Sequence, residues 1–108
     1  MTSSVIIFVT CASKKEAKII VDSLLRKRLV ACGNIVSGVH SKFWWKGKLD
    51  SANECLAILK TQKEKFGKVE KEILRIHSYD VPEIIAVPIV AGNRDYLDWV
   101  RSETQCDS

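Results

Sequence analysis

Residues 32 to 45 run Cys-Gly-Asn-Ile-Val-Ser-Gly-Val-His-Ser-Lys-Phe-Trp-Trp, and this segment determines the architecture of the whole chain. Alternate side chains share one face of a strand, so Val39, Phe43 and Trp45 are predicted on the same face. A tight turn at Lys46-Gly47 follows, and alternating apolar residues then continue to Lys60-Thr61. The centre of the chain is therefore predicted to be a long β-hairpin, with glycines 33 and 38 marking bends or bulges.

The residues before the hairpin predict a strand and a helix. Val5–Val9 is short, β-branched and apolar on both faces, which is typical of a buried central strand. Ser13 and Glu16 have the spacing of a capping box. Apolar residues at helical spacing follow them, so an amphipathic helix is predicted to end near Arg28.

The residues after the hairpin predict a second helix and strand. Apolar positions from Phe66 favour a helix that closes near His77. Because Pro88 lacks a backbone donor, the strand Ile84–Val90 is predicted to lie at an edge of the sheet or to have one open side there. Asn93 caps a short third helix. The order β-α-β-β-α-β with a terminal helix predicts an α+β, ferredoxin-like fold, with both main helices on one face of an antiparallel sheet and a single domain over residues 1–108.

Charge and hydropathy exclude several classes of protein. The net charge is +4, but the 17 basic residues are interleaved with 13 acidic ones, which argues against a nucleic-acid partner. The longest apolar runs are far shorter than the ~20 residues of a membrane-spanning helix. No basic side chain precedes the first apolar run, so no signal peptide is predicted. We therefore expect a cytoplasmic protein without a membrane partner.

Cysteine spacing excludes the common zinc and redox motifs. No C-x-x-C pair occurs among Cys11, Cys32, Cys55 and Cys106. In a reducing compartment they are expected to be thiols, and each is first interpreted as a small buried hydrophobe.

The hairpin also predicts an oligomer. Consecutive Phe43, Trp44 and Trp45 must point to both faces near its tip, and two helices cover only one face of a small sheet. Exposed aromatic residues form an apolar patch that a second subunit can cover, and long strand edges offer unpaired backbone groups. A closed ring of identical subunits meets both demands. The alternative is that the tip folds back over its own sheet.

Polar side chains gather directly before the last strand. The segment His77-Ser-Tyr-Asp-Val-Pro-Glu83 holds an imidazole, a phenol and two carboxylates beside an apolar strand, which indicates a binding site. His77 is equally interpreted as a helix C-cap, and Tyr79 as a half-buried phenol bonded to the backbone. Lys60 is a candidate partner for an anion, or simply a surface lysine.

Five separated blocks carry a resemblance to one family. They are Arg28-Leu-Val-Ala-Cys-Gly-Asn-Ile35, Phe43-Trp-Trp-Lys-Gly-Lys48, Leu59-Lys-Thr61, His77-Ser-Tyr-Asp-Val-Pro-Glu-Ile84 and Gly92-Asn-Arg-Asp-Tyr-Leu-Asp-Trp99. Taken in order and at consistent spacing, they resemble the CutA family of divalent-ion tolerance proteins over nearly the whole chain. One departure is Ser78, which stands where the family usually has Pro, so the backbone after His77 is less restricted.

The resemblance implies a homotrimer, similar in architecture to the PII signal-transduction proteins, with clefts between subunits. It also implies an association with copper or another divalent metal. Cys32 is a candidate soft ligand for this metal, His77 a borderline ligand and Glu83 a hard oxygen ligand. The metal is expected to be weakly bound, and no organic cofactor is expected. Trp45, Lys60, Tyr79 and Asp80 are candidate cleft residues. Contacts between subunits are expected from Phe43, Trp44 and Trp99.

Three binding or structural roles follow from these expectations. The first is a trimeric copper-binding tolerance protein whose partners are metal and its own copies. The second is a PII-like sensor that binds an anionic metabolite in the cleft, and the third is a scaffold in which the trimer itself is the product. His77 with Glu83 or Asp80 could serve acid–base catalysis, but no nucleophile motif or cofactor fingerprint accompanies them, so an enzyme is not expected.

Overall fold

The structure is a computed structural model that describes residues 3–105, so Cys106 lies outside it. The strands are β1 (Ser4–Cys11), β2 (Cys32–Trp45), β3 (Lys48–Gln62) and β4 (Ile84–Pro88). The helices are α1 (Lys14–Arg26), α2 (Phe66–Ile76) and α3 (Arg94–Glu103), and a 3-10 turn (Lys63–Lys65) precedes α2. The predicted α+β class and the β-α-β-β-α-β order with a third helix are confirmed.

The four strands form one antiparallel sheet in the order β2-β3-β1-β4. β1 lies in the interior of the sheet, as its two-sided hydrophobicity predicted. β4 lies at the edge, where the missing donor of Pro88 is tolerated. The prediction that β4 reaches Val90 is wrong. Ile89 N still donates to Ser4 O at 3.0 Å, but β1 begins at Ser4, so residue 90 has no strand partner.

Both main helices cover the same face of the sheet. Val5, Ile7 and Val9 of β1 point into the core on alternate positions, beside the odd-numbered residues of β3. The buried faces of the helices close this core with Ala17, Ile20, Val21 and Leu24 of α1 and Val69 and Ile73 of α2. Burial of these side chains is the main force that holds the helices to the sheet.

The first helix begins as predicted and ends two residues early. Ser13 Oγ accepts from Glu16 N at 3.1 Å, but Glu16 Oε1 accepts from Ala12 N at 2.9 Å instead of closing the capping box on Ser13. Arg28 adopts a left-handed conformation with φ 59°, which stops the helix before it. No helix among residues 3–105 is long and apolar enough to cross a bilayer.

The hairpin is long, and it is bent at one glycine. Lys46 and Gly47 have φ of 51° and 80°, as a two-residue turn of type I′ requires. The register shifts between Val36 and Val39, and Gly38 there has φ 79°, so the predicted bulge is confirmed. Gly33 marks no bulge. It pairs regularly with Leu59, and its lack of a side chain lets α1 approach the sheet closely.

The opposite face of the sheet is only partly covered. Gln62 Nε2 donates to Thr104 Oγ1 at 2.9 Å, which holds α3 over one end of this face. The rest carries apolar side chains with no cover from the described chain. The exposed fractions are Val36 43%, Phe43 37%, Trp45 45%, Ile85 49% and Val87 38%.

Candidate functional site

A groove of about 710 Å³ lies between the distal half of the hairpin and the turn that precedes β4. Its walls include five residues that the sequence singled out, namely Phe43, Trp45, Tyr79, Asp80 and Glu83. Side chains from distant parts of the chain therefore meet in one concavity, whose volume lies within the range of small-molecule sites.

Glu54 is the residue of this groove that sequence reasoning missed. The residue is 9% exposed, and its Oε2 accepts a 2.6 Å hydrogen bond from the hydroxyl of Tyr79. Burial and this bond to a carboxylate raise the pKa of Tyr79 above its ordinary value. The available signal was a charged residue directly before the apolar run that begins at Cys55, at a strand position where a polar group needs a partner.

His77 is held as a structural residue. Its side chain is fully buried, Nε2 lies 2.7 Å from the carbonyl oxygen of Thr10, and Nδ1 accepts from Tyr79 N at 3.1 Å. A carbonyl only accepts and a backbone amide only donates, so these two bonds specify the neutral Nε2–H tautomer. The residue is also the C-cap of α2. His77 thus occupies the C-cap position through its backbone, but its side chain binds Thr10 of β1 instead of the last carbonyls of α2. Neither ring nitrogen is free for a metal.

Glu16 joins the start of α1 to the turn after α2. Oε1 accepts from Ala12 N, and Oε2 accepts from Ser78 N at 2.7 Å. Burial alone would raise the pKa of Glu16, but the hydrogen bonds from Ala12 and Ser78 hold that pKa below its usual value. Ser78 needs its N–H for this bond, which a proline there would lack.

One group of side chains in the described part of the chain has the spacing of a metal site. Ligand atoms of Cys11, Glu16 and His77 all lie within 4.8 Å of one another. The group does not fit a resident metal. The glutamate oxygens and imidazole nitrogens already make hydrogen bonds, and burial raises the pKa of Cys11 to about 12, which disfavours the thiolate. We interpret the cluster as a brace between β1, α1 and the turn after α2.

Cys32 and Lys60 lie together elsewhere on the sheet. They are direct partners across β2 and β3. Lys60 Nζ donates to Asn34 Oδ1, and Cys32 Sγ is 3.9 Å from Tyr96 Oη. Lys60 also pairs in register with Ile6, four residues from the carbonyl of Thr10 that His77 contacts. At ~3.3 Å per residue, Cys32 and Lys60 therefore lie roughly 13 Å along the strand from the carbonyl that His77 contacts.

The predicted metal ligands are therefore not one cluster within a single chain. Cys32 is at one end of the sheet, His77 is buried at the other end, and Glu83 lines the groove. A site that combined Cys32 with either of the others would have to take them from different copies.

The residues expected at subunit contacts are all exposed in the single chain. Phe43, Trp44 and Trp99 have exposed fractions of 37%, 71% and 41%. Trp99 packs beside Tyr96, with ring centroids 5.6 Å apart. The subunit contacts themselves stay a prediction.

Comparison with known proteins decides the family. The model of the CutA1 divalent ion tolerance protein family matches residues 5–103. The chain belongs to the CutA1 family. Its relatives include the divalent-cation tolerance proteins CutA of Thermus thermophilus, 40% identical over 92% of this chain and 96% of that protein, and of Archaeoglobus fulgidus, 45% identical over 87% and 91%. The chain spans only 58% of its rice chloroplastic relative, Protein CutA 1, at 38% identity over 94% of this chain.

Solved structures of CutA1 proteins agree with the fold. The Thermus thermophilus protein has a TM-score of 0.92 at 40% identity, and the match covers 94% of this chain and 98% of that one. The Archaeoglobus fulgidus structure, described as a periplasmic protein, also has a TM-score of 0.92, at 41% identity and with 94% and 99% covered. This CutA1 family member therefore shares the strand and helix arrangement of its relatives along nearly its whole length.

Proposed function

We propose that this CutA1 family member acts in the tolerance of divalent cations, copper among them, as a homotrimer that binds metal weakly. The observation that carries the proposal is the family match over residues 5–103, whose relatives are named for divalent-cation tolerance. The role is one of binding rather than catalysis.

The uncovered face of the sheet supports self-association. Exposed apolar residues on this face include Val36, Ile85 and Val87. The two edge strands, β2 and β4, each have one side without a strand partner in the described chain. Apolar area of this kind is removed from water when copies pack together.

Molecular mass in dilute solution tests the trimer. Light scattering is expected to give three times the chain mass for the wild type. Trp44→Lys and Ile85→Lys place charges in the proposed contacts and should lower that mass, whereas Lys68→Glu on α2 should not. A wild-type protein that is folded and monomeric at micromolar concentration overturns the trimer.

Cys32 is the thiol best placed to bind copper. It is partly exposed, whereas Cys11 and Cys55 are buried, and its contacts with Asn34 and Tyr96 are both long, at 3.9 Å. A soft thiolate suits Cu(I). Titration with Cu(I) under anaerobic conditions should show binding that Cys32→Ser removes and Cys55→Ser leaves. Retained binding in Cys32→Ser overturns this ligand, and no binding by the wild type overturns the copper proposal.

The groove favours a second role, that of a PII-like sensor for a small molecule. It has the size of a ligand site and lies near the uncovered face. Screening by thermal shift separates the two roles, because a sensor is stabilised by its metabolite in the absence of any metal.

A cytoplasmic location remains part of the proposal. Three cysteines of the described chain are free thiols, as expected in a reducing compartment. Fractionation of the source cells with a compartment marker tests it, and recovery with an organelle or the periplasm overturns it.

A further inference from the structure

Two cysteines face each other across the two central strands of the sheet. Cys11 is the last residue of β1, and its direct partner in the antiparallel ladder is Cys55 of β3. Both side chains belong to the core between the sheet and the helices, so they point to the same face of the sheet. Both are free thiols, with exposed fractions of 0% and 6%. Neither takes part in the copper site or the groove described above.

The spacing of directly opposed residues matches the geometry of a disulfide bond. In an antiparallel pair, opposed Cα atoms lie about 4.5 or 5.5 Å apart, and disulfides join residues whose Cα atoms are about 4.4–6.8 Å apart. Opposed Cβ atoms lie about 4.5–5.5 Å apart, which is slightly more than the ~3.8 Å typical of a disulfide. A bond between the two sulfurs therefore requires only a small local adjustment of the strands.

The bulge in β2 gives a small oxidant access to Cys55. The register of β2 against β3 shifts between Val36 and Val39, directly opposite this thiol. Cys55 Sγ makes a 3.8 Å contact with Ser37 Oγ, which lies in the bulge. A bulge leaves an extra residue unpaired and disrupts the ladder locally. The wall of the core is therefore least regular beside Cys55.

Cys11 is protected from direct oxidation. Burial, together with the nearby Glu16, Cys55 and Glu54, raises the pKa of its thiol to about 12. The thiolate is the reactive form of cysteine, so this thiol is a poor first target. Once Cys55 is oxidised, however, Cys11 is held beside it by the ladder, and such proximity compensates for a small thiolate population.

We propose that Cys11 and Cys55 form a reversible disulfide when the protein encounters hydrogen peroxide. The Cys55 sulfur attacks one peroxide oxygen, the O–O bond breaks, and a sulfenic acid and one water result. The Cys11 sulfur then attacks the sulfenic sulfur, whose S–O bond breaks, and the departing hydroxide takes the Cys11 proton to form a second water. Two molecules of a thiol such as glutathione reverse the reaction and leave as their own disulfide.

The disulfide connects oxidation to the brace at the start of α1. Cys11 Sγ lies within 4.8 Å of ligand atoms of Glu16 and His77, and bond formation draws this sulfur towards β3. The two thiols face the helices rather than the uncovered face of the sheet. The switch is therefore independent of the proposed subunit contacts and of copper at Cys32.

Mass spectrometry tests the proposal in the double variant Cys32→Ser, Cys106→Ser, which keeps only this pair of thiols. Excess hydrogen peroxide at pH 7 should remove two hydrogen atoms from the intact mass, and dithiothreitol should restore them. Tryptic digestion without reduction should then link the peptide that contains Cys11 to the one that contains Cys55. An unchanged circular dichroism spectrum during the treatment shows that the folded protein reacts.

Single substitutions in the same background separate the roles of the two sulfurs. Cys11→Ser should stop at a sulfenic acid on Cys55, which dimedone traps, and Cys55→Ser should leave Cys11 unmodified. A dimedone adduct on Cys11 in Cys55→Ser overturns the assignment of Cys55 as the first sulfur to react. The proposal itself is overturned by folded protein whose thiols stay reduced in peroxide, by a disulfide that joins two copies, or by one that forms only in urea.

Discussion

The hydroxyl of Tyr79 donates a 2.6 Å hydrogen bond to the buried carboxylate of Glu54. The bond joins the turn before β4 to the middle of the hairpin, 25 residues away in sequence. His77 packs against the same phenol, with ring centroids 4.7 Å apart. One wall of the groove is thereby attached to the buried brace formed by Cys11, Glu16 and His77.

Loss of this hydrogen bond should destabilise the protein. Tyr79→Phe leaves Glu54 without its donor, so the free energy of unfolding in urea should fall by about 1–3 kcal/mol. Tyr96→Phe is the matched control, because the hydroxyl of Tyr96 makes only a 3.9 Å contact with Cys32. Tyr96→Phe should lower the free energy of unfolding by less than about 0.5 kcal/mol. Equal losses in the two variants would contradict the role of Glu54.

His77 should prove to be a structural residue rather than a metal ligand. His77→Ala removes the hydrogen-bond partners of Thr10 O and Tyr79 N and leaves a cavity. The free energy of unfolding should therefore fall by about 2–4 kcal/mol. His40→Ala, which loses one exposed hydrogen bond to Asn53, should change stability little. Unchanged stability together with lost copper binding in His77→Ala would restore the role of ligand.

Acid should destabilise the protein partly through Glu16. The folded-state pKa of Glu16 is held below its ordinary value by the amides of Ala12 and Ser78, against the opposing effect of burial. Its contribution is therefore complete above the unfolded-state pKa of about 4.3 and is lost as the pH falls through the folded-state pKa. Glu16→Gln should be less stable at pH 7 and lose less stability between pH 7 and pH 3.

The control for this pH dependence is Asp22→Asn. The side chain of Asp22 is exposed and makes no hydrogen bond within residues 3–105, so its variant should keep the wild-type loss on acidification. Urea unfolding at a series of pH values gives the slope of the free energy of unfolding against pH for both variants. A Glu16→Gln slope equal to that of the wild type would show that this carboxylate is not part of the acid response.

Gly33 should tolerate no side chain unless α1 gives way. A Cβ atom at this position would lie 2.8 Å from Val21 Cγ1 and 3.1 Å from Leu59 Cδ2, so Gly33→Ala should cost about 1–3 kcal/mol. Adding Val21→Ala makes room, and the double variant should be more stable than the sum of the two single losses predicts.

Gly67→Ala is the matched control for the glycine substitution. Gly67 lies in α2, and beyond its chain neighbours and the backbone of its own helix no described atom lies within 4 Å of an added Cβ, so this change should stabilise the helix by about 0.5–1 kcal/mol. Additive losses for Gly33→Ala and Val21→Ala would contradict the close contact between α1 and β2.

The order of the elements was predictable because local patterns encode it. Each of these patterns spans only a few residues. They are the alternation in β2 and β3, the helical spacing after Ser13 and the positive φ that Gly47 tolerates. The boundaries were less accurate for reasons that lie elsewhere in the structure. β4 ends where its antiparallel partner β1 begins, and α1 stops before a left-handed Arg28, which no apolar pattern indicates.

The candidate site was only partly predictable. Phe43, Trp45, Tyr79, Asp80 and Glu83 belong to two polar and aromatic segments that stand out in the sequence, and they meet in the groove. Glu54 does not stand out, because its burial depends on a phenol 25 residues away. Lys60 was predicted to line a cleft between subunits. In the single chain it lies beside Cys32, outside the groove, and its place in a cleft between subunits stays a prediction.

The sequence alone determined the strands, the helices, the hairpin turn and the family resemblance, because periodicity, capping and turn chemistry are local properties. Tertiary structure alone decided that His77 is buried with both nitrogens occupied, that Cys32 lies far from it, and that Glu54 is buried against the hydroxyl of Tyr79. These properties depend on which distant segments the packed sheet brings together, and hydrogen-bond partners and burial follow from that packing.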